Sequence, residues 1–124
     1  MTGKQKVVVL GASKNPDRYS NKAILMLREN GHEVIPVHPV ETEIEGIKVI
    51  NKLEQLQPGS VDTITFYVSP HLSSSLEEVI INLKPSRVIF NPGSENPKLI
   101  DSLPKAGIEV IQACTLVMLR TNQF

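Results

Sequence analysis

From end to end, the chain alternates short runs of apolar, β-branched residues with stretches of helical period. The first run, Val7-Val8-Val9-Leu10, has no polar face. A strand of that kind must be covered on both sides, as in a parallel sheet between two helical layers. Similar runs recur at Glu33–Val37, Val61–Val68, Arg87–Phe90 and Ile108–Ile111. Residues 18–30 read as a helix closed by Gly31. Leu72, Leu76, Val79, Ile80 and Leu83 follow at helical spacing, with Ser73-Ser74-Ser75 suiting a helix start. Asn96-Pro97 opens a third helix, with Pro at its first position. Residues 40–60 carry weaker signals: a short edge strand near Ile47–Ile50, a helical turn near Leu53–Leu56 and a Pro58-Gly59 turn. Thr115–Leu119 reads as a closing helical turn.

Strands separated by helices predict βαβ units with right-handed crossovers. The expected class is therefore α/β: a Rossmann-like three-layer sandwich around a mostly parallel, doubly wound sheet of five to six strands. The length of 124 residues fits one domain, 1–124. The usual strand order, 3-2-1-4-5-6, sets the strand ending at Val68 beside the strand ending at Leu10. Ligands in such folds bind beyond the carboxyl ends of those strands. The loops after Leu10, Val37, Val68 and Phe90 are thus the places to look for function.

Charge and cysteine content narrow the partners. Thirteen Lys and Arg balance thirteen Asp and Glu, so no nucleic-acid partner is expected. Residues 1–40 hold six basic and three acidic side chains, which allows a local basic site. The single cysteine, Cys114, forms no intrachain disulfide and suits a reducing compartment. The amino terminus lacks the pattern of a secretory signal, and no apolar run approaches a membrane span. A cytoplasmic protein without a membrane partner is the expectation.

Gly11-Ala12-Ser13-Lys14-Asn15-Pro16 lies between the first strand and the first helix. Glycine permits the sharp turn, and amides near a helix start attract phosphate. Ser13 adds a hydroxyl, and Lys14, Arg18 and Lys22 add charge. The loop lacks the second and third glycines of the dinucleotide fingerprint. The second strand ends Val37-His38-Pro39, with no carboxylate before Glu41 to hold free ribose hydroxyls. That end suits a phosphorylated ribose, as in coenzyme A or NADP. Tyr67-Val68-Ser69-Pro70 ends the central strand and offers a wall for a flat base. Asn91-Pro92-Gly93-Ser94-Glu95-Asn96 forms a further polar loop, which also reads as an ordinary turn. Cys114 lies among apolar residues, more a filler than a nucleophile. His32, after the capping Gly31, reads as exposed. No paired-carboxylate, metal-ligand or Ser/His/Asp arrangement stands out, so neither catalytic residues nor a metal is expected.

The ordered set of these stretches resembles the small, free-standing CoA-binding proteins of bacteria and archaea. It is similar to the CoA-binding domain of the succinyl-CoA synthetase α subunit. The matching pieces run from Val9-Leu10-Gly11-Ala12-Ser13-Lys14-Asn15-Pro16, with Arg18-Tyr19-Ser20, through Val34-Ile35-Pro36-Val37-His38-Pro39 and Ile44-Glu45-Gly46. They continue through Val61-Asp62, Tyr67-Val68-Ser69-Pro70 and Phe90-Asn91-Pro92-Gly93-Ser94-Glu95-Asn96 to Ala113-Cys114-Thr115-Leu116-Val117-Met118-Leu119. The resemblance implies coenzyme A lying across the strand ends. Gly11, Ala12 and Ser13 would then meet the pyrophosphate, with Arg18 and Lys22 nearby. Val37, His38 and Pro39 would line the adenosine end. Tyr67, Val68, Ser69 and Pro70 would form the other wall, with Asn91 and Gly93 in the far loop. His38 departs from the Asn often found there. The synthetase's phosphorylated histidine lies in a second domain that has no counterpart here, so that reaction is not expected.

Three readings follow. One is a non-catalytic module for CoA or acyl-CoA, acting as sensor, carrier or thiol protector through Cys114. The second is an NADP-binding oxidoreductase or regulatory domain. The third is a ligand-free interaction scaffold. The oligomeric state is not readable from the sequence.

Overall fold

Residues 3–124 are described by a computed structural model. Five parallel strands form the central sheet: β1 (Lys6–Leu10), β2 (Glu33–Val37), β5 (Thr63–Phe66), β6 (Arg87–Phe90) and β7 (Glu109–Gln112). Their order is β2-β1-β5-β6-β7. Leu10 stands opposite Phe66, so the first and third sheet strands are neighbours as the topology demanded. A two-stranded hairpin, β3 (Glu43–Ile44) and β4 (Ile47–Lys48), lies outside this sheet. The helices are α1 (Tyr19–Glu29), α2 (Pro70–Ser74), α3 (Glu77–Leu83), α4 (Pro97–Lys105) and α5 (Thr115–Arg120), with a 3-10 turn over Leu53–Gln55.

Alternation along the strands builds two cores. Val8, Leu10, Ile64, Phe66, Val88 and Phe90 face Ile80 and Leu83 of α3 and Leu99 and Leu103 of α4. Val7, Val9 and Ile89 face Ile24 and Leu27 of α1 and Leu119 of α5. This covering of both faces is why β1 carries no polar side, while the polar residues buried in β5 and β6, Thr63, Thr65 and Arg87, are hydrogen-bonded. Phe66 and Phe90 stack with ring centroids 4.6 Å apart. Truncating either ring to Ala is expected to cost about 3–5 kcal/mol.

The structure departs from the sequence reading in four places. The region expected as one helix through Leu83 is two helices, broken at Ser75-Leu76. Pro70 starts the first of them. The Ser75 amide and hydroxyl both turn back to the Leu72 carbonyl, at 3.3 and 2.7 Å, and end it. The serines do not start a helix. Instead, Ser73 and Ser74 accept from Asn96 Nδ2, which ties α2 to the start of α4. The expected edge strand near Ile47–Ile50 is mostly hairpin, and only Ile50 makes a parallel bridge, to Val37 on the outer side of β2. The third position of the 3-2-1-4-5-6 order is thus reduced to one residue.

His32 is the fourth departure. The α1 terminus is a Schellman motif, with Gly31 N–H bonded to the Arg28 carbonyl and His32 N–H to the Leu27 carbonyl. That turn directs His32 inward. Its Nδ1 accepts from the Gln5 amide at 3.0 Å, and its ring lies 5.1 Å from that of Phe124. Beside it, buried Arg87 donates to Thr63 Oγ1, Gln5 Oε1 and the Phe124 carbonyl, and covers the Phe124 ring at 4.5 Å. This polar cluster closes the amino ends of the strands, opposite the loops where ligands bind in such sheets.

Candidate functional site

Loops after β1, β2, β5 and β6 enclose a cavity of about 780 Å³ at the carboxyl ends of the strands. That volume lies within the range of about 300–1,000 Å³ common for small-molecule sites. Gly11, Ala12, Ser13 and Arg18 line it from the first loop. His38 and Pro39 contribute from the second, Tyr67, Val68 and Ser69 from the third, and Gly93 from the fourth.

The first loop turns at Gly11, where φ is +90°. A Cβ at that position would lie 2.8 Å from Val68 Cγ1 and 2.9 Å from the Tyr67 carbonyl oxygen. Glycine is therefore required both by conformation and by the close approach of β5. The expectation of free amides at Gly11 and Ala12 is corrected. Both donate to the Val37 carbonyl, at 3.3 and 3.1 Å. The unpaired donors lie just beyond: the amides of Ser13, Lys14, Tyr19 and Ser20 have no hydrogen-bond partner among the described residues. Tyr19 and Ser20 open α1, whose N-cap, Arg18, makes no side-chain cap. Positive potential at this helix start and the Arg18 guanidinium both favour an anion. Asp17, which also lines the cavity, opposes it.

His38 is oriented by its neighbours. Its Nδ1 accepts from the amides of Val40 and Glu41, at 3.1 and 3.0 Å, which puts the proton on Nε2. It offers one N–H donor at its free edge. Tyr67 is different. Its hydroxyl is buried and has no partner among the described residues. The Thr65 and Thr115 hydroxyls, which bond to each other at 2.8 Å, stand close enough to stabilise a Tyr67 phenolate, but their geometry toward the Tyr67 hydroxyl falls short of a hydrogen bond. Burial pushes the Tyr67 phenol up to about 12.

Six expected site residues fall outside the cavity lining. Val37 is buried, and its carbonyl shapes the first loop. Lys14 Nζ pairs with Glu41 Oε2 at 3.2 Å. Lys22 is exposed within α1. Pro70 begins α2, and Cys114 is the half-buried residue preceding α5. Asn91 is a structural hub. Its Nδ2 donates to Thr65 Oγ1 and the Phe66 carbonyl, and its Oδ1 accepts from the Thr115 amide at 2.8 Å. Its amide group is spent on holding α5 to the sheet, so it has no free edge to offer a ligand. Gly93 lines the cavity, but its amide is occupied by Glu95 Oε1 at 2.8 Å.

The cavity also takes in residues that sequence reasoning did not select. Tyr19 is 70% exposed and Leu72 56% exposed, and both line it. Exposed apolar side chains beside a polar loop are the surfaces a flat base or an apolar arm would cover. Ser20, Phe66, Pro92 and Ser94 complete the walls with Asp17. Tyr19 carried a signal, as an aromatic residue just past the phosphate loop. Leu72 carried none, because its helical spacing matched the core pattern.

Residues 5–120 match the CoA binding domain family. The chain belongs to that family. This CoA-binding domain is 31% identical over 77 residues to the uncharacterized protein YneT of Bacillus subtilis (strain 168), an alignment covering 61% of this chain and 56% of YneT. The domain thus matches little more than half the length of that relative. Its backbone superposes on a crystallised uncharacterized protein with a TM-score of 0.92 and 41% identity, over 98% of this chain and 99% of the other. A dinucleotide-forming acetyl-coenzyme A synthetase of Ca. Korarchaeum cryptofilum shares the fold, with a TM-score of 0.73 and 20% identity, over 88% of this chain and 25% of that one. No helix among the described residues is long and apolar enough to cross a membrane.

Proposed function

We propose that this chain binds coenzyme A, free or acylated, in the cavity between the loops after β1, β2, β5 and β6, as a non-catalytic module. The observation that carries this reading is the pairing of two surfaces in one cavity. Unpaired amides at Ser13, Tyr19 and Ser20, with Arg18, suit the diphosphate of the ligand. The exposed faces of Tyr19 and Leu72 suit its base or its weakly polar arm. Membership of the CoA-binding family supports the same ligand over NADP.

Binding without catalysis fits a cytoplasmic sensor, carrier or protective module. Protection would use Cys114, whose thiolate would displace CoA thiolate from CoA disulfide. Isothermal titration with CoA, acetyl-CoA and NADP tests the main reading. Micromolar binding of CoA, tighter than NADP, is expected. Tighter binding of NADP, or no heat with any of the three, overturns it.

A further inference from the structure

Lys14 follows the cavity-lining Ser13, yet its ammonium turns to Glu41 at 3.2 Å. The two partners are held unequally. The Lys14 side chain is 71% exposed and the Glu41 side chain 24%. The Glu41 backbone is fixed at both ends: its amide donates to His38 Nδ1 and its carbonyl accepts from Asn51 Nδ2 at 3.2 Å. A carboxylate two residues past the cavity-lining Pro39 is therefore masked by a lysine on a long, solvated arm, both residues standing just outside the lining. In doubly wound folds this end of the second strand receives the nucleotide ribose, and a carboxylate there accepts from its hydroxyls.

We propose that the Lys14–Glu41 pair sets the preference of the site for a phosphorylated ribose over one with free hydroxyls. This rests on the reading of the cavity as a CoA site. A ribose phosphate attracts Lys14 and is repelled by Glu41, so Lys14 leaves the pair and reads the phosphate. A ligand without that phosphate leaves the pair intact. Glu41 competes for Lys14, and removing its charge frees the lysine.

Titration of the wild type, Lys14→Met and Glu41→Gln with CoA and with dephospho-CoA tests this, with melting curves confirming that each variant folds. The wild type is expected to prefer CoA. Lys14→Met should lower the preference for CoA over dephospho-CoA about three- to fivefold, read as the ratio of the two affinities. Glu41→Gln should strengthen CoA by a similar factor. High salt should erode the wild-type preference. If the ratio of the two affinities is the same in all three proteins, the pair is not the discriminator. If neither ligand binds any of them, the CoA reading itself fails.

Discussion

Gly11 and Val68 approach so closely that a single added methyl group on Gly11 would stand 2.8 Å from Val68 Cγ1. The nearest other obstacle is the Tyr67 carbonyl, which is backbone and cannot swing aside. Gly11→Ala must therefore move the first loop away from the end of β5, and it must also hold alanine at φ +90°. The expected loss is about 2–4 kcal/mol of stability. A urea titration reads it directly. The displaced loop should also weaken CoA at least tenfold.

The buried Tyr67 hydroxyl has no hydrogen bond of good geometry, with only the mutually bonded Thr65 and Thr115 hydroxyls beside it. Tyr67→Phe removes that group and keeps the ring. The variant should be as stable as the wild type or more stable by about 1 kcal/mol, measured by the urea midpoint. A clear destabilisation would mean that the hydroxyl is satisfied.

Asn91→Ala should have the opposite result. It strips a partner from the buried Thr115 amide and from the Phe66 carbonyl. A loss of about 2–4 kcal/mol is expected, with α5 the first element to open in hydrogen exchange.

His32 gives the fold a pH dependence. Burial and the nearby Arg87 hold its imidazole below the ordinary value of 6.5. Protonation at Nδ1 also breaks the bond from the Gln5 amide. The stabilisation is full above pH 6.5, where both folded and unfolded chains are neutral at this residue. It is lost as the pH falls below 6.5, because the unfolded chain takes up the proton first. Urea midpoints at pH 7.5 and 5.5 should therefore differ more in the wild type than in His32→Asn. Equal differences would exclude His32 as the source.

Much of this architecture was legible in the sequence, because burial on both faces favours apolar runs such as Val7-Val8-Val9-Leu10. Gly11 was legible as a turn for the same local reason. The partners of the loops were not. Gly11 and Ala12 lose their amides to Val37, which lies about twenty-five residues away in the chain. Asn91 read as a turn residue beside Pro92-Gly93, while its three bonds reach residues 24 to 26 positions distant. Arg87 opens the strand Arg87–Phe90 in the sequence, and it is a buried cation held by Thr63, Gln5 and Phe124. Each of these pairings exists only once the sheet order is set, so no local pattern announces it.

The central claim is that coenzyme A occupies the cavity built on Gly11. Amide chemical shifts followed by NMR during a CoA titration test it most directly. Shifts should concentrate at Gly11, Ser13, Tyr19, Ser20, His38, Ser69 and Gly93, and saturate at one ligand per chain. Shifts confined to the His32 and Phe124 end of the sheet, or none at millimolar CoA, would contradict it.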